Sequence, residues 1–197
     1  MKRDLSASSL GFPEADHPER LGPPAVLAAA QREVAEELIN GPRRGVYGPF
    51  RPLLHCPSLL RSTAKLGETL RYEGALDPTL REWTICAVAR ETSNLFEWDM
   101  HLPLAAAAGV PAPALAEMAV GEAASRDLRD DLAIAWTMTR EVIGQHRLTD
   151  ATYSAAVDRW DEKTVVELLT LIGYFAMVCW LMNVARTPGP AASCAAR

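Results

Sequence analysis

No basic excess marks this chain of 197 residues, in which 20 lysines and arginines stand against 25 aspartates and glutamates. Binding along nucleic acid or an anionic membrane surface needs a positive stripe, so neither partner is expected, and a small-molecule substrate becomes the default. The four cysteines, Cys56, Cys86, Cys179 and Cys194, show neither CxxC nor metal-type spacing. That leaves no local dithiol or zinc motif, and reduced, buried thiols in a cytoplasmic setting are expected. GxSxG, GxGxxG, P-loop and HExxH patterns are also absent. The opening stretch MKRDLSASSLGFPEADHPERLGPP lacks an apolar run after its basic start, so no secretory signal is expected.

What is present is ordinary globular material, 49% hydrophobic and 23% charged, enough for one domain with a real core. The long uncharged run Leu168 to Ala185 reaches the minimum length of a membrane span. It contains Thr170, Gly173 and Asn183 and has no one-sided basic flank, so a helix buried on all faces is expected instead, with no membrane partner.

Pro13, Pro18, Pro23 and Pro24 deny regular structure to residues 1–24, read as an extended arm able to wrap a neighbour. A single helical domain is expected over 25–186, with a flexible tail at 187–197. Its first helix runs from Ala25 to the stop at Asn40-Gly41-Pro42. After an irregular Gly- and Pro-rich linker, a helix from about Ser58 to Gly74 presents Leu59, Leu60, Leu66 and Leu70 as its apolar stripe. Asp77-Pro78 caps the next helix, and Asn94 with Glu97 has the form of a capping box that starts another after a turn near residue 92. Pro103 is expected to kink or end that helix. Helices follow Gly109 and cover about 130–145, 149–158 and 163–186, and no strand is convincing. The stretches LDPTLREWTICAVARE and WDEKTVVELLTLIGYF echo one another, so two helical half-repeats are a natural reading.

Chemistry concentrates around the turn. Glu97 and His101 lie at i, i+4 on one helical face, where a carboxylate can orient an imidazole or share its proton. In one straight helix Glu82 would sit roughly 22 Å from Glu97 along the axis, whereas a chain reversal near residue 92 brings Glu82 level with His101. Trp83, Asn94, Phe96 and Trp98 are the expected substrate-binding surroundings, with the aromatics walling an apolar pocket that shifts the carboxylate pKa values. Two plainer readings stand beside this one. Glu97 completes only the capping box and Glu82 only favours the positive end of its helix; or the three side chains serve as metal ligands, for which no further ligand spacing is visible. No metal and no cofactor are expected. His55, His146 and His17 read as a loop, a helix-end and an arm residue, and Trp136 and Trp180 as core.

The runs GPFRPLLHCPSLL, GETLRYEGALDPTLREWTICAVARE, EWDMHLPLAAAAGV and VVELLTLIGYF with Asn183 resemble, in order and spacing over about 45–186, the carboxymuconolactone decarboxylase family, which shares its fold with the alkylhydroperoxidase AhpD. The resemblance implies an all-α, AhpD-like helical bundle and a homo-oligomer, often a trimer or hexamer. In the peroxidase branch a glutamate, a CxxC pair and a histidine form a proton relay. Glu82 matches the glutamate and His101 the histidine, but Asn94 and Glu97 stand where the cysteines would be, so a disulfide-forming cycle is not expected. In the decarboxylase branch the glutamate four residues before a histidine is matched by Glu97 and His101. This favours a cofactor-independent lyase or isomerase that protonates carbon in a small carboxylated or lactone substrate, with Glu82 assisting. The true decarboxylases are much shorter; the likeness is to a long branch without CxxC. A thiol-independent redox or stress protein, and a non-catalytic ligand-binding oligomer, are the alternatives.

Overall fold

Helix formers without β-periodic runs lead to helices alone, and in the computed structural model, which describes residues 18–122 and 128–190, every regular element is helical. The first is α1, Ala29–Asn40. It starts later than Ala25 because the Gln31 side chain accepts the Ala28 N–H at 2.8 Å, fixing the helix entry there. Gly41 ends it by donating to Glu37 O.

The linker leads into the short α2, Phe50–Leu53, and then α3, Pro57–Glu68, which carries on as a π-helical turn over Thr69–Glu73. The expected leucine stripe is corrected here. Leu60 and Leu70 are buried together with Ala64 and Gly67, while Leu59 and Leu66 are 57% and 42% exposed. Small residues let α3 approach its neighbours closely, and a satellite core of Val34, Leu38, Phe50, Leu54 and Leu60 joins α1, α2 and α3.

At the centre lies α4, Pro78–Glu91, whose cap Asp77 accepts from the N–H groups of Thr79 and Leu80. Its buried residues run around the whole helix, from Leu80 through Trp83, Ile85 and Val88, as befits a helix enclosed on every side. It packs against α5 (Leu95–Ala107), α7 (Asp130–Gln145) and α9 (Glu162–Ala185); α6 (Ala112–Ala119) and α8 (Asp150–Arg159) complete the bundle.

The reversal falls at Thr92–Asn94, where Ser93 adopts a φ of 51° and Asn94 donates to Ala89 O at 2.8 Å. Asn183 on α9 ties the turn down by donating to Thr92 O at 2.7 Å. Of the two outcomes expected at Pro103, the ending of α5 does not occur, since the helix runs on to Ala107. Pro103 and Asp99 are both exposed, so the carbonyl freed by the missing N–H can meet water.

Two further expectations are corrected. Helix α9 is long and apolar enough to cross a membrane by length and composition, but it is not buried on all faces. Leu168, Leu171, Phe175 and Met182 enter the core, whereas Val166, Met177, Val184 and Trp180, the last 53% exposed, form an outer face; Trp136 is core as expected. Residues 1–17 of the arm and 191–197 of the tail lie outside the described residues. From Pro18 onward the chain lies against its own bundle, with the Arg20 N–H on Ala185 O at 2.7 Å and Glu19 paired to Arg51 at 2.7 Å.

Candidate active site

The hairpin of α4 and α5 places the His101 ring between two carboxylates. Its Nδ1 lies 2.7 Å from Glu82 Oε2 on α4, and its Nε2 3.2 Å from Glu97 Oε2 one turn earlier on α5. The three side chains are almost sealed from solvent, at 4%, 5% and 7% exposure for His101, Glu82 and Glu97. Phe175 meets the imidazole edge-on at a centroid distance of 5.3 Å, and Arg81 Nε donates to Glu82 Oε1 at 3.2 Å.

Burial alone would strip the charge from this cluster, but hydrogen bonding outweighs it. For His101, desolvation pulls the pKa down, and the bonds and charges of Glu82 and Glu97 more than reverse this, leaving it above its ordinary 6.5. For Glu82, desolvation pushes the pKa up, and the bond and charge of His101, helped by Arg71 and Arg81, bring it below its ordinary 4.5. Both shifts favour the charged forms of the pair, an imidazolium at His101 and a carboxylate at Glu82.

A pH dependence of stability follows. A raised His101 pKa contributes stability in full below 6.5 and loses it as pH rises through the folded value; a lowered Glu82 pKa contributes in full above 4.5 and loses it as pH falls. Denaturation midpoints measured across pH should be highest between these two values and decline on both sides.

The structure separates the two roles proposed for Glu97. Asn94 does cap α5, its side chain accepting the Glu97 N–H at 2.9 Å. The reciprocal half of a capping box is missing, because the Asn94 N–H is spent on Ala89 O and the Glu97 carboxylate faces His101. Nor does the triad converge as a metal site would. The carboxylates sit on opposite ring nitrogens, and no group of three potential ligands gathers among the described residues.

One side of this cluster opens into a cavity of ≈ 260 Å³ lined by Glu97 and His101 together with Phe96, Met100, Phe175 and Val178. Glu82 does not line it and stands behind the imidazole. Of the four expected substrate contacts only Phe96 faces the cavity. Trp83 is fully buried with its indole N–H on Leu132 O at 2.7 Å, Trp98 is fully buried in the main core, and Asn94 is held by Asn183 Oδ1 and Cys179 O at 2.7 and 3.2 Å. Helical periodicity turns the two tryptophans to the packed faces of α4 and α5, and Asn94 is occupied as the cap of α5. The rest of the lining, with Arg43 and Tyr47 from the linker, Arg71 and Tyr72 from the π turn and Tyr174 from α9, was missed. Its one sequence signal was arginine and tyrosine inside segments rich in breakers.

The two buried cysteines near this arrangement offer it no thiolate. Burial, reinforced by the charges of Glu82 and Glu97, pushes the Cys86 thiol far up, and burial does the same to Cys179. Both are inert as nucleophiles at neutral pH.

Residues 57–128 match the model of the carboxymuconolactone decarboxylase family. Among solved structures, the alkylhydroperoxidase AhpD core of an uncharacterized peroxidase-related protein from Ralstonia eutropha JMP134 superposes with a TM-score of 0.69 at 17% identity, covering 88% of this chain and 93% of that one. A protein of unknown function from Agrobacterium tumefaciens, described as a putative antioxidant defence protein AhpD, gives 0.59 at 13% identity over 70% and 94% of the two chains. No curated protein matches the sequence.

Proposed function

For a chain that carries carboxymuconolactone decarboxylase-family sequence at residues 57–128 on an AhpD-like fold, we propose a lyase or isomerase that moves a proton to or from carbon in a small carboxylated or lactone substrate. The observation that carries this reading is the buried His101 ring, bonded on both nitrogens and opening with Glu97 onto a cavity of ≈ 260 Å³. Glu97 is the group that exchanges the proton with substrate. His101 replenishes it across their 3.2 Å contact, and Glu82 is the positioning residue that fixes the ring and its charge from behind.

In the decarboxylating direction the carbon–carbon bond to the carboxylate breaks, carbon dioxide leaves, and the electron pair stays as an enolate. The imidazolium passes its Nε2 proton to the Glu97 carboxylate, Glu97 delivers that proton to the enolate carbon and returns to a carboxylate, and solvent reprotonates the imidazole. In an isomerisation the same group removes a proton beside a carbonyl and returns it at another carbon.

The peroxidase-related descriptions of the structural neighbours support a second, redox reading. Against it stand Asn94 and Glu97 at the CxxC positions and two thiols raised by burial. One pair of assays separates them. Incubation of the protein in D₂O with a panel of small enolisable carboxylates and lactones should give protein-dependent deuterium incorporation or carbon dioxide release with at least one of them. Peroxide consumption with a dithiol donor, and no exchange on any of the panel, would replace the acid–base reading with the redox one.

A further inference from the structure

The cavity has a second polar wall that the proton relay does not use. Arg71 issues from the π turn, where the helix widens to i→i+5 bonding and re-aims its side chains; such turns recur at functional sites. Its Nε is buried without a hydrogen-bond partner. Arg43, on the linker and also lining the cavity, has its side chain only 9% exposed. One of its terminal nitrogens donates to Ala64 O at 3.1 Å, and its face lies over Phe50 at 4.4 Å. Its Nε is likewise buried and without a hydrogen bond, the nearest carboxylate oxygen, on Glu68, being 3.8 Å away.

Two buried guanidinium Nε–H groups left unbonded beside one cavity are costly, since a buried charged donor without its acceptor loses its hydration with no replacement. A further sign of construction is Gly67. Any Cβ there would collide with the Tyr174 hydroxyl and the Arg43 guanidinium, so a glycine inside α3, a poor helix former, is what lets these groups reach the cavity wall.

We infer that Arg71 and Arg43 form a carboxylate-binding subsite, so that the substrate enters as a small organic carboxylate pinned by its anionic group in the cavity that Glu97 and His101 also line. A guanidinium offers parallel N–H donors matched to the two oxygens of a carboxylate, a geometry that a neutral lactone or amide does not satisfy. The cavity volume of ≈ 260 Å³ suits a molecule of modest size with one such group. The aromatic faces of Phe96 and Phe175 are there to cover its apolar part. Behind the bond and charge of His101, the charge of Arg71 also favours the ionised Glu82, so an anion bound there weakens that contribution and raises the proton affinity of the relay. The choice of reacting carbon rests on the acid–base reading; the subsite itself does not.

The test uses the full-length protein with benzoate as probe and benzamide as its neutral counterpart, measured by calorimetry at low salt. Benzoate should bind at least tenfold more tightly than benzamide. Arg71→Met should remove that preference, and Arg71→Lys should keep part of it. Arg43→Met should weaken benzoate and leave benzamide unchanged, with circular dichroism confirming the fold of each variant. Equal affinity for the two probes, or a preference untouched in both Met variants, overturns the subsite. Glu97→Gln keeps the two readings apart. Benzoate preference retained in that variant, with no proton exchange detected even in the wild type, refutes the acid–base reading and sustains the subsite; exchange equally rapid on neutral and anionic substrates, with KM unaltered by Arg71→Met, does the reverse.

Discussion

Replacing Glu97 by glutamine should abolish turnover while leaving the fold in place. The amide keeps the size of the carboxylate and can still accept a hydrogen bond from His101, and the imidazole retains its shorter contact to Glu82 at 2.7 Å. What disappears is a group able to gain and lose a proton at the cavity wall. Removing a positioned general acid–base group lowers the rate by about 10²–10⁴-fold. The loss should appear in kcat with little change in KM, because the proposed anion subsite is made by Arg71 and Arg43 and not by Glu97. Steady-state kinetics on any substrate found by the D₂O exchange panel, with thermal denaturation alongside, checks both halves. A Glu97→Gln variant that turns over normally would remove the carboxylate from the mechanism.

Glu82 is expected to behave differently, because it lies behind the ring rather than in the cavity. Glutamine there leaves the imidazolium with one carboxylate in a site sealed from water, and it deprives Arg81 of its charged acceptor. Breaking a buried ion pair from one side costs about 3–5 kcal/mol, and the remaining contact to Glu97 places the expected loss near the lower end of that range. Part of the cost is avoided by His101 giving up its proton, since desolvation is the largest influence on it once the partner is gone. The variant should therefore be both less stable and slower, and its activity profile should shift toward acid pH, where the imidazole recharges. Urea denaturation and a pH–rate profile check these outcomes, and an unchanged stability would show that the pair contributes nothing to the fold.

The hairpin that makes this site was legible because two strong local signals agree. Asp77-Pro78 starts α4, and Asn94 caps α5 through the Glu97 N–H, so the position of the reversal follows from backbone hydrogen-bond supply alone. The i, i+4 spacing of Glu97 and His101 then fixes their contact. Ser93, at positive φ in the turn, and Asn183, reaching it from α9, carried no readable signal of their conformational role.

Side-chain direction was harder. Trp83 and Trp98 are aromatic neighbours of the acids in sequence, yet the helix turns them about 100° per residue away from the cavity and into the core. Leu59 and Leu66 were misjudged because Ala64 and Gly67 form the packed face of α3; close approach of backbones selects small residues, which a count of leucines overlooks. The cavity's cationic wall was invisible for a related reason. Arg43 and Arg71 reach it from an irregular linker and a π turn, and neither obeys a helical or strand period that would reveal which way a side chain points. Helical spacing of aromatics points Trp180 to the core, whereas α9 has enough apolar surface to bury one face and expose another.

The central claim is that His101 is a buried imidazolium clamped by Glu82 and Glu97, and ¹⁵N NMR of the His101 ring, titrated from below pH 5 to above pH 8, tests it most directly. The ring should lose its proton above the ordinary 6.5, with that transition moving to lower pH in Glu82→Gln. A ring that titrates at its ordinary value, or that stays a neutral single tautomer across the whole range, would contradict the account.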